Sequence, residues 1–194
     1  KIEVIYPSLN QELLSNISKP FDVPDDFILS ISTLEPRKNY DSAIKAFKLV
    51  HEQIPELKYL IIGKKGWYYE ELFKLVHELH LKDSVLFLGY RPDVETSYAL
   101  SRAKAFLYIS HYEGFGMPPL EAIKYNVPLI LSDIEVFREC FDGHAVFVDA
   151  KDVDLISRAI KDALEDKIKI RDNKEILKKF SWEVSANKLL SVIK

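Results

Sequence analysis

Residues 105 to 121 read AFLYISHYEGFGMPPLE, and this stretch decides the fold of the chain. Its first part, Ala105 to Ile109, is short, unbroken and rich in large apolar side chains, as expected of a buried strand. Gly114 and Gly116 allow a tight turn. Pro118-Pro119 suits the first turn of a helix, where a missing N–H costs nothing. The stretch therefore predicts a strand, a glycine turn and a helix in direct succession.

The predicted turn carries groups suited both to an anion and to hydroxyls. The backbone amides ahead of Pro118 would point outward at a helix N-terminus, where the helix dipole favours an anion such as phosphate. Glu113 leaves the strand end, and Glu121 lies about one turn into the helix. Neither carboxylate would bind phosphate, so hydroxyls are their expected partners. A sugar nucleotide offers phosphate and hydroxyls together.

A second strand, loop and helix are predicted earlier in the chain. Residues 27 to 32 form an apolar strand, and residues 39 to 53 carry the apolar spacing of an amphipathic helix. Between them, Arg37 and Lys38 are adjacent cations at a strand end. They suit a diphosphate because Arg offers a planar fork and Lys a point charge. From the residues alone, an ordinary pair of surface cations remains the alternative.

The whole chain alternates strands with helices, which predicts an α/β fold: a Rossmann-like, doubly wound parallel sheet of about six strands. In the usual order 3-2-1-4-5-6, strands one and four are neighbours, so the loops after them would touch one ligand. The first loop lacks G-x-G-x-x-G, which argues against a nicotinamide or flavin site. Residues 1 to 7 form one more candidate strand. The predicted strands are residues 27–32, 59–63, 85–89, 105–109, 127–132 and 145–148.

The motif resembles a known enzyme family. Glu113 to Glu121 matches E-x7-E, and EGFGMPPLEA is close to the wording of family 4 among the retaining glycosyltransferases of GT-B fold (glycosyl transferases group 1). The resemblance covers roughly residues 27 to 193. It implies that Glu113 is the catalytic carboxylate beside the transferred hexose and that Glu121 binds the ribose hydroxyls. It also implies that the glycine turn holds sugar and diphosphate through Gly114, Phe115, Gly116 and Met117.

The same resemblance extends to other strand ends. L-x-P-R-K-N is similar to the family's phosphate-clamp loop, in which the lysine, here Lys38, binds the diphosphate. Many members carry Gly-Arg where this chain has Ser32-Thr33, so Arg37 would have to supply the guanidinium. The loop 90–93 would lie near the base, with a plain surface loop as the alternative. The remaining donor-binding candidates are Lys64, Tyr90 and Arg91.

The resemblance implies the C-terminal, donor-binding half of a two-domain enzyme. Residues 1–24 would be a linker and the end of a missing N-terminal domain, and residues 25–194 a nucleotide-sugar-binding domain with a C-terminal helix. The implied reaction moves a hexose, mannose as first choice, from a nucleoside diphosphate sugar to an acceptor hydroxyl with retention. The donor would be GDP-mannose or UDP-glucose, with no cofactor and no metal. The acceptor, a glycan or lipid-linked glycan, would bind through the missing domain.

Three alternatives stay open at this point. The first is a nucleotide-sugar-binding module without chemistry of its own. The second is another GT-B enzyme, such as a sugar-nucleotide epimerase or a glycogen-synthase-like enzyme. The third is an unrelated nucleotide- or regulator-binding α/β domain.

The amino-acid composition limits which classes of partner and which cellular compartment fit this chain. The 194 residues carry a formal net charge of −3, which argues against a nucleic-acid partner. The single cysteine, Cys140, excludes an internal disulfide and fits a reducing compartment. No apolar run approaches a bilayer span. We expect a cytoplasmic protein, or one peripheral at the inner face of the membrane in the full-length enzyme. The histidines show no metal-ligand spacing, and His77 and His80 are read as a solvated helix face.

Overall fold

The structure of the chain is a computed structural model, which describes residues 2–9, 21–67, 69–168 and 171–193. Its six strands form one sheet in the order β3-β2-β1-β4-β5-β6, and every pair is parallel. The predicted fold class and strand order are confirmed. Parallel strands need crossover connections, and the helices between them supply these and cover both faces.

The elements follow one another as strand and helix up to the sixth strand. The strands are β1 (Phe27–Ile31), β2 (Lys58–Ile62), β3 (Val85–Gly89), β4 (Ala105–Tyr108), β5 (Leu129–Ser132) and β6 (Ala145–Val148). The helices are α1 (Tyr40–His51), α2 (Tyr69–Glu78), α3 (Asp93–Arg102), α4 (Met117–Lys124), α5 (Glu135–Phe141), α6 (Val153–Leu164), α7 (Asn173–Lys179) and α8 (Trp182–Ile193). A single 3₁₀ turn, Pro36–Lys38, precedes α1.

Two apolar cores lie on the two faces of the sheet because successive strand residues point to opposite sides. Ile28 belongs to the core beneath α1 and α6, whereas Phe27 and Leu29 belong to the core beneath α4 and α5. The first four residues of β1 and all four of β4 are buried. These two central strands therefore form a rigid support for the loops at their carboxyl ends.

The structure differs from the sequence predictions at both ends of the chain. Residues 2–9 contain no strand, so the candidate strand at residues 1 to 7 does not form over this described part. Tyr6 packs instead against Phe180, and its carbonyl accepts a hydrogen bond from Ser185 Oγ at 2.7 Å. Helix α7 was not predicted. Most of the proposed linker, residues 10–20, lies outside the described residues.

None of the helices described is long and apolar enough to cross a bilayer.

Candidate functional site

The loops after β1 and β4 are joined directly, as the strand order predicts. The N–H of His111 donates to the carbonyl of Arg37 at 2.8 Å. The side-chain amide of Asn39 donates to the carbonyls of Ile109 at 3.2 Å and Ala150 at 2.7 Å. Asn39 has a left-handed backbone (φ 56°), a conformation that asparagine tolerates better than most residues. The 3₁₀ turn before α1 is thereby fixed against the carboxyl end of β4.

Glu113 lies at the centre of this junction and accepts hydrogen bonds from both predicted cations. Lys38 Nζ lies 2.6 Å from Glu113 Oε1, and Arg37 Nη1 lies 3.1 Å from Oε2. The side chains of Lys38 and Glu113 are only 7% and 9% exposed. Arg37 Nε also donates to Glu35 at 2.9 Å. Two cations and two carboxylates therefore form one cluster, a pairing that the sequence analysis did not predict.

The charges in the cluster are mutually dependent. Burial opposes ionisation of Glu113, but Lys38 and Arg37 together hold its pKa below the ordinary value. Burial lowers the pKa of Lys38, and Glu113 offsets part of this effect. Removing one partner would leave a buried charge without compensation, which is costly. Each of the two side chains, Lys38 and Glu113, is therefore needed to keep the other one charged at this buried position.

The glycine turn is held by an aromatic cluster. Gly116 has φ 115°, and a Cβ at this position would lie 2.9 Å from the ring of Phe137. The ring of Phe115 packs edge-on against Phe180 with centroids 5.1 Å apart. Met117 begins α4, so the amides of the turn lie at its N-terminus. Gly114 is exposed, with open space around it. The fold thus presents backbone donors beside Glu113.

Glu121 lies in α4, and no described cation compensates its charge. Burial raises its pKa to about 7, with a further contribution from the charge of Asp93. It makes no hydrogen bond or ion pair with any other residue that the structure describes. A half-buried, unpaired carboxylate is unfavourable for stability, which makes Glu121 a strong candidate for ligand binding.

The remaining candidates lie at the ends of β2 and β3. Lys64 and Tyr90 are exposed, and the ammonium lies 5.2 Å from the centre of the tyrosine ring. Arg91 is directed inward: its Nε donates to the carbonyl of Leu88 and its Nη1 to Glu95, both at 3.1 Å. The structure therefore pairs Lys64 with Tyr90 but gives Arg91 a role in fixing the start of α3.

Sequence reasoning missed two residues that organise the site. Tyr108, the last residue of β4, accepts a hydrogen bond from Lys38 Nζ at 2.6 Å and is 5% exposed. Tyr108 lies within an apolar run, so the sequence analysis treats it as part of the core. A buried tyrosine hydroxyl usually has a hydrogen-bond partner, and this is the signal that could have identified it. Asn39 joins three loops, and asparagine just before a helix is a recognisable cap signal. Its contacts to Ile109 and Ala150 depend on the tertiary fold and leave no local signal.

The groups of this site are chemically suited to an anion next to hydroxyl groups. Lys38 and Arg37 supply positive charge, the amides at the start of α4 add donors, and the two glutamates supply acceptors. Across the described residues, no group of three His, Cys, Asp or Glu side chains could hold a metal ion.

Comparison with known proteins agrees with this geometry. Residues 15–180 match the family described as glycosyl transferases group 1. The chain is 33% identical over 174 residues to the O-antigen chain mannosyltransferase B of Escherichia coli, covering 87% of this chain and 45% of that protein. It is 35% identical over 162 residues to the O-antigen chain mannosyltransferase RfbU of Salmonella typhimurium, covering 83% and 44%. The chain thus spans less than half the length of these relatives.

Among solved structures, sucrose-phosphate synthase from Thermosynechococcus elongatus superposes with a TM-score of 0.82 at 21% identity. The match covers 98% of this chain and 51% of that one and shows the likeness of fold. Because the family match extends over most of the sequence, including both loops of the β1/β4 junction, the chain belongs to the glycosyl transferases group 1 family, with the Rossmann-like sheet of a GT-B fold.

Proposed function

We propose that this chain is the donor-binding half of a retaining, family 4 glycosyltransferase that moves mannose from a nucleoside diphosphate sugar to an acceptor hydroxyl. The observation that carries the proposal is the meeting of Arg37, Lys38 and Glu113 at the junction of β1 and β4, beside the N-terminus of α4. Ligands of open α/β sheets bind at such a switch point, beyond the carboxyl ends of the strands.

In the proposed reaction the cations stabilise the leaving group. As the bond from the anomeric carbon to the diphosphate oxygen breaks, negative charge grows on the diphosphate. Lys38, Arg37 and the amides at the start of α4 would oppose that charge without having to reorganise. No divalent metal is invoked in this step. The diphosphate would replace the carboxylate of Glu113 on the cations, and Glu113 would turn to the hydroxyls of the transferred hexose.

Glu121 supports the nucleotide part of the proposal. Its carboxylate is half-buried, unpaired among the described residues, and raised in pKa by burial and by Asp93. Such a residue lowers the stability of the free protein, and this cost fits a functional role better than a structural one. Two vicinal ribose hydroxyls would supply the donors that the carboxylate lacks. Lys64 and Tyr90, exposed at neighbouring strand ends, would then lie on the side of the base.

The choice of mannose, and hence of GDP-mannose ahead of UDP-glucose, is supported by relatives whose names describe O-antigen chain mannosyltransferases. Those names also support a glycan or a lipid-linked glycan as acceptor. The acceptor would bind to a further domain, because the relatives are more than twice as long as the part matched here. We place the enzyme in the cytoplasm or at the inner face of the membrane.

A binding module without activity of its own is the second candidate. It is favoured by one observation: this chain covers 45% of its E. coli relative. In that case the chain would bind the nucleotide sugar, and both transfer and donor hydrolysis would require another domain. Release of free mannose from GDP-mannose by this chain alone, lost in Glu113→Gln, would decide in favour of the enzyme.

The first experiment measures thermal unfolding with GDP, UDP and ADP. A specific ligand present at about 100 times its dissociation constant should stabilise the folded chain by about 2.7 kcal/mol. We expect one nucleotide to raise the midpoint and to lose this effect in both Lys38→Ala and Glu121→Ala. Lys45→Ala, which changes an exposed lysine of α1 that is paired with Asp41, is the matched control and should retain it. Equal shifts in all variants, or no shift with any nucleotide, would contradict the proposal.

Retention at the anomeric carbon has its own test. NMR of the glycan formed by the full-length enzyme should show the anomeric configuration of the donor. An inverted linkage would contradict the assignment to family 4 while leaving the nucleotide site intact.

A further inference from the structure

We propose that Tyr108 is a positioning residue of the site, whose hydroxyl holds the ammonium of Lys38 in place while the diphosphate displaces Glu113. This inference rests on the proposed function, because it assigns to Lys38 a bound diphosphate. It goes beyond that function by identifying the protein group that keeps the Lys38 ammonium in position.

The contact between the two side chains is close and protected. Lys38 Nζ donates to Tyr108 Oη at 2.6 Å, and the ammonium lies 4.8 Å from the centre of the ring. Tyr108 is 5% exposed, and its ring stacks on Phe106 and packs against Phe137, both at 5.9 Å between centroids. A tyrosine held this firmly presents its hydroxyl in one position. Lys38, which has a long flexible stem, needs such a fixed acceptor.

The three N–H groups of the Lys38 ammonium can each donate to a different acceptor. One is directed to Tyr108 and one to Glu113, at 2.6 Å each, which leaves a third for a further acceptor. When a diphosphate takes the place of Glu113, Tyr108 is the protein acceptor that remains. Without it, the ammonium would have no fixed acceptor among the described residues at the moment when it has to hold the leaving group.

The surrounding hydroxyls cannot substitute for Tyr108. A cavity of about 10 Å³ next to Lys38 is lined by two further tyrosines, Tyr40 and Tyr59. Their hydroxyls pair with serines instead, Tyr40 with Ser32 at 2.7 Å and Tyr59 with Ser30 at 2.8 Å. These two tyrosines therefore belong to the same buried layer, but the described contacts of the ammonium go to Tyr108 and Glu113 and not to them.

The charge state of Lys38 gives the proposal a distinctive readout. Burial lowers the pKa of Lys38, and the charge of Arg37 acts in the same direction, whereas Glu113 and Glu35 oppose it. Tyr108, Tyr40 and Tyr59 stay neutral, because burial raises the pKa of each phenol. Removing the Tyr108 hydroxyl takes away an acceptor that favours the charged amine. The pKa of Lys38 should then fall further.

The test is a calorimetric titration of the protein and its Tyr108→Phe variant with GDP, and with guanosine as the ligand lacking phosphate, between pH 7 and pH 10. We expect Tyr108→Phe to weaken GDP binding roughly ten- to 150-fold, as for loss of a hydrogen bond to a charged group. Guanosine affinity should not change. The alkaline loss of GDP affinity should begin at lower pH than in the unsubstituted protein. Tyr40→Phe, which removes a buried hydroxyl bonded to Ser32, is the matched control and should leave the pH profile unchanged.

The outcomes separate the inference from the function on which it rests. If the nucleotide assigned by the unfolding experiment is UDP or ADP, that diphosphate and its nucleoside replace GDP and guanosine. If the unsubstituted protein binds no nucleoside diphosphate, the proposed function fails and the inference with it. If it binds one and Tyr108→Phe binds it equally well with the same pH profile, only the positioning role is overturned. A loss of affinity for diphosphate and nucleoside alike would also overturn it, since that would indicate general disruption of the fold.

Discussion

Glu113 is central to the proposed site, because it is paired with the two cations that would bind the diphosphate of the donor. The Glu113→Gln variant keeps the shape of the side chain and removes its negative charge. We expect nucleoside diphosphate to bind roughly tenfold more tightly, about 1.4 kcal/mol, because the phosphates no longer compete with a carboxylate. Calorimetric titration measures the affinity, and sugar transfer by the full-length enzyme should be lost in the same variant.

The Glu35→Gln variant is the control for this prediction. Among the described residues, the carboxylate of Glu35 is paired with Arg37 and not with Lys38, so the same loss of charge at the edge of the cluster should have a smaller effect. Weaker binding in Glu113→Gln would mean that Glu113 acts as a scaffold for Lys38 and Arg37 and does not compete with the ligand.

Glu121 makes a second prediction at the scale of one residue. Its folded pKa of about 7 lies above the unfolded value, so the folded state binds the proton more tightly. Stability from this group is present at pH 4.5 and is lost as the pH rises through 7. At pH 8, Glu121→Gln should therefore be more stable than the unsubstituted chain by about 1–3 kcal/mol, and near pH 4.5 by almost nothing. Denaturant unfolding at the two pH values measures both.

Asp93→Asn provides the internal comparison for Glu121. It removes the neighbouring charge that contributes to the raised pKa of Glu121. At pH 8, Asp93→Asn should therefore raise the free energy of unfolding by less than Glu121→Gln does. An equal gain in Glu121→Gln at both pH values would show that the carboxylate is not strained in the free protein.

At the scale of elements, the turn between β4 and α4 depends on its second glycine. Gly116→Ala combines φ 115° with a Cβ 2.9 Å from Phe137, so we expect a loss of about 2–4 kcal/mol in the free energy of unfolding. Gly114→Ala should cost no more than about 0.5 kcal/mol, since nothing lies within 4 Å of the added carbon. Chemical denaturation of the two variants compares them directly. Similar losses would contradict the packing of this turn.

At the scale of the whole molecule, the aromatic cluster behind the glycine turn and the last helix should differ in their effect on stability. Phe180→Ala removes a fully buried ring that contacts Tyr6 and Phe115, and it should cost about 3–5 kcal/mol. Leu190 is 56% exposed, so Leu190→Ala should change stability by less than about 0.5 kcal/mol. Equilibrium unfolding tests the pair, and a large loss in Leu190→Ala would mean that α8 is packed more tightly than described.

The sequence alone predicted the order of the sheet and the meeting of its first and fourth loops, because buried parallel strands and glycine turns leave strong local patterns. It could not predict that Glu113 would pair with Lys38, since the partners are 75 residues apart and each looked suited to a ligand. Helix α7 was missed because its seven residues, NKEILKK, show little apolar periodicity. The candidate strand at residues 1 to 7 does not form over residues 2–7, where Tyr6 packs against Phe180.

The pairing of Arg37 and Lys38 with Glu35 and Glu113 also bears on how quickly a donor arrives. Two positive and two negative charges sum to zero, so the electrostatic potential that this cluster produces in the surrounding solvent is small when no ligand is bound. An approaching anion would gain almost no electrostatic steering, and its association rate should change little with ionic strength. In the proposed binding mode, the full positive charge would become available only after the phosphates have entered and displaced Glu113. Salt should therefore act mainly on dissociation, which makes the residence time of the nucleotide the quantity that this cluster controls.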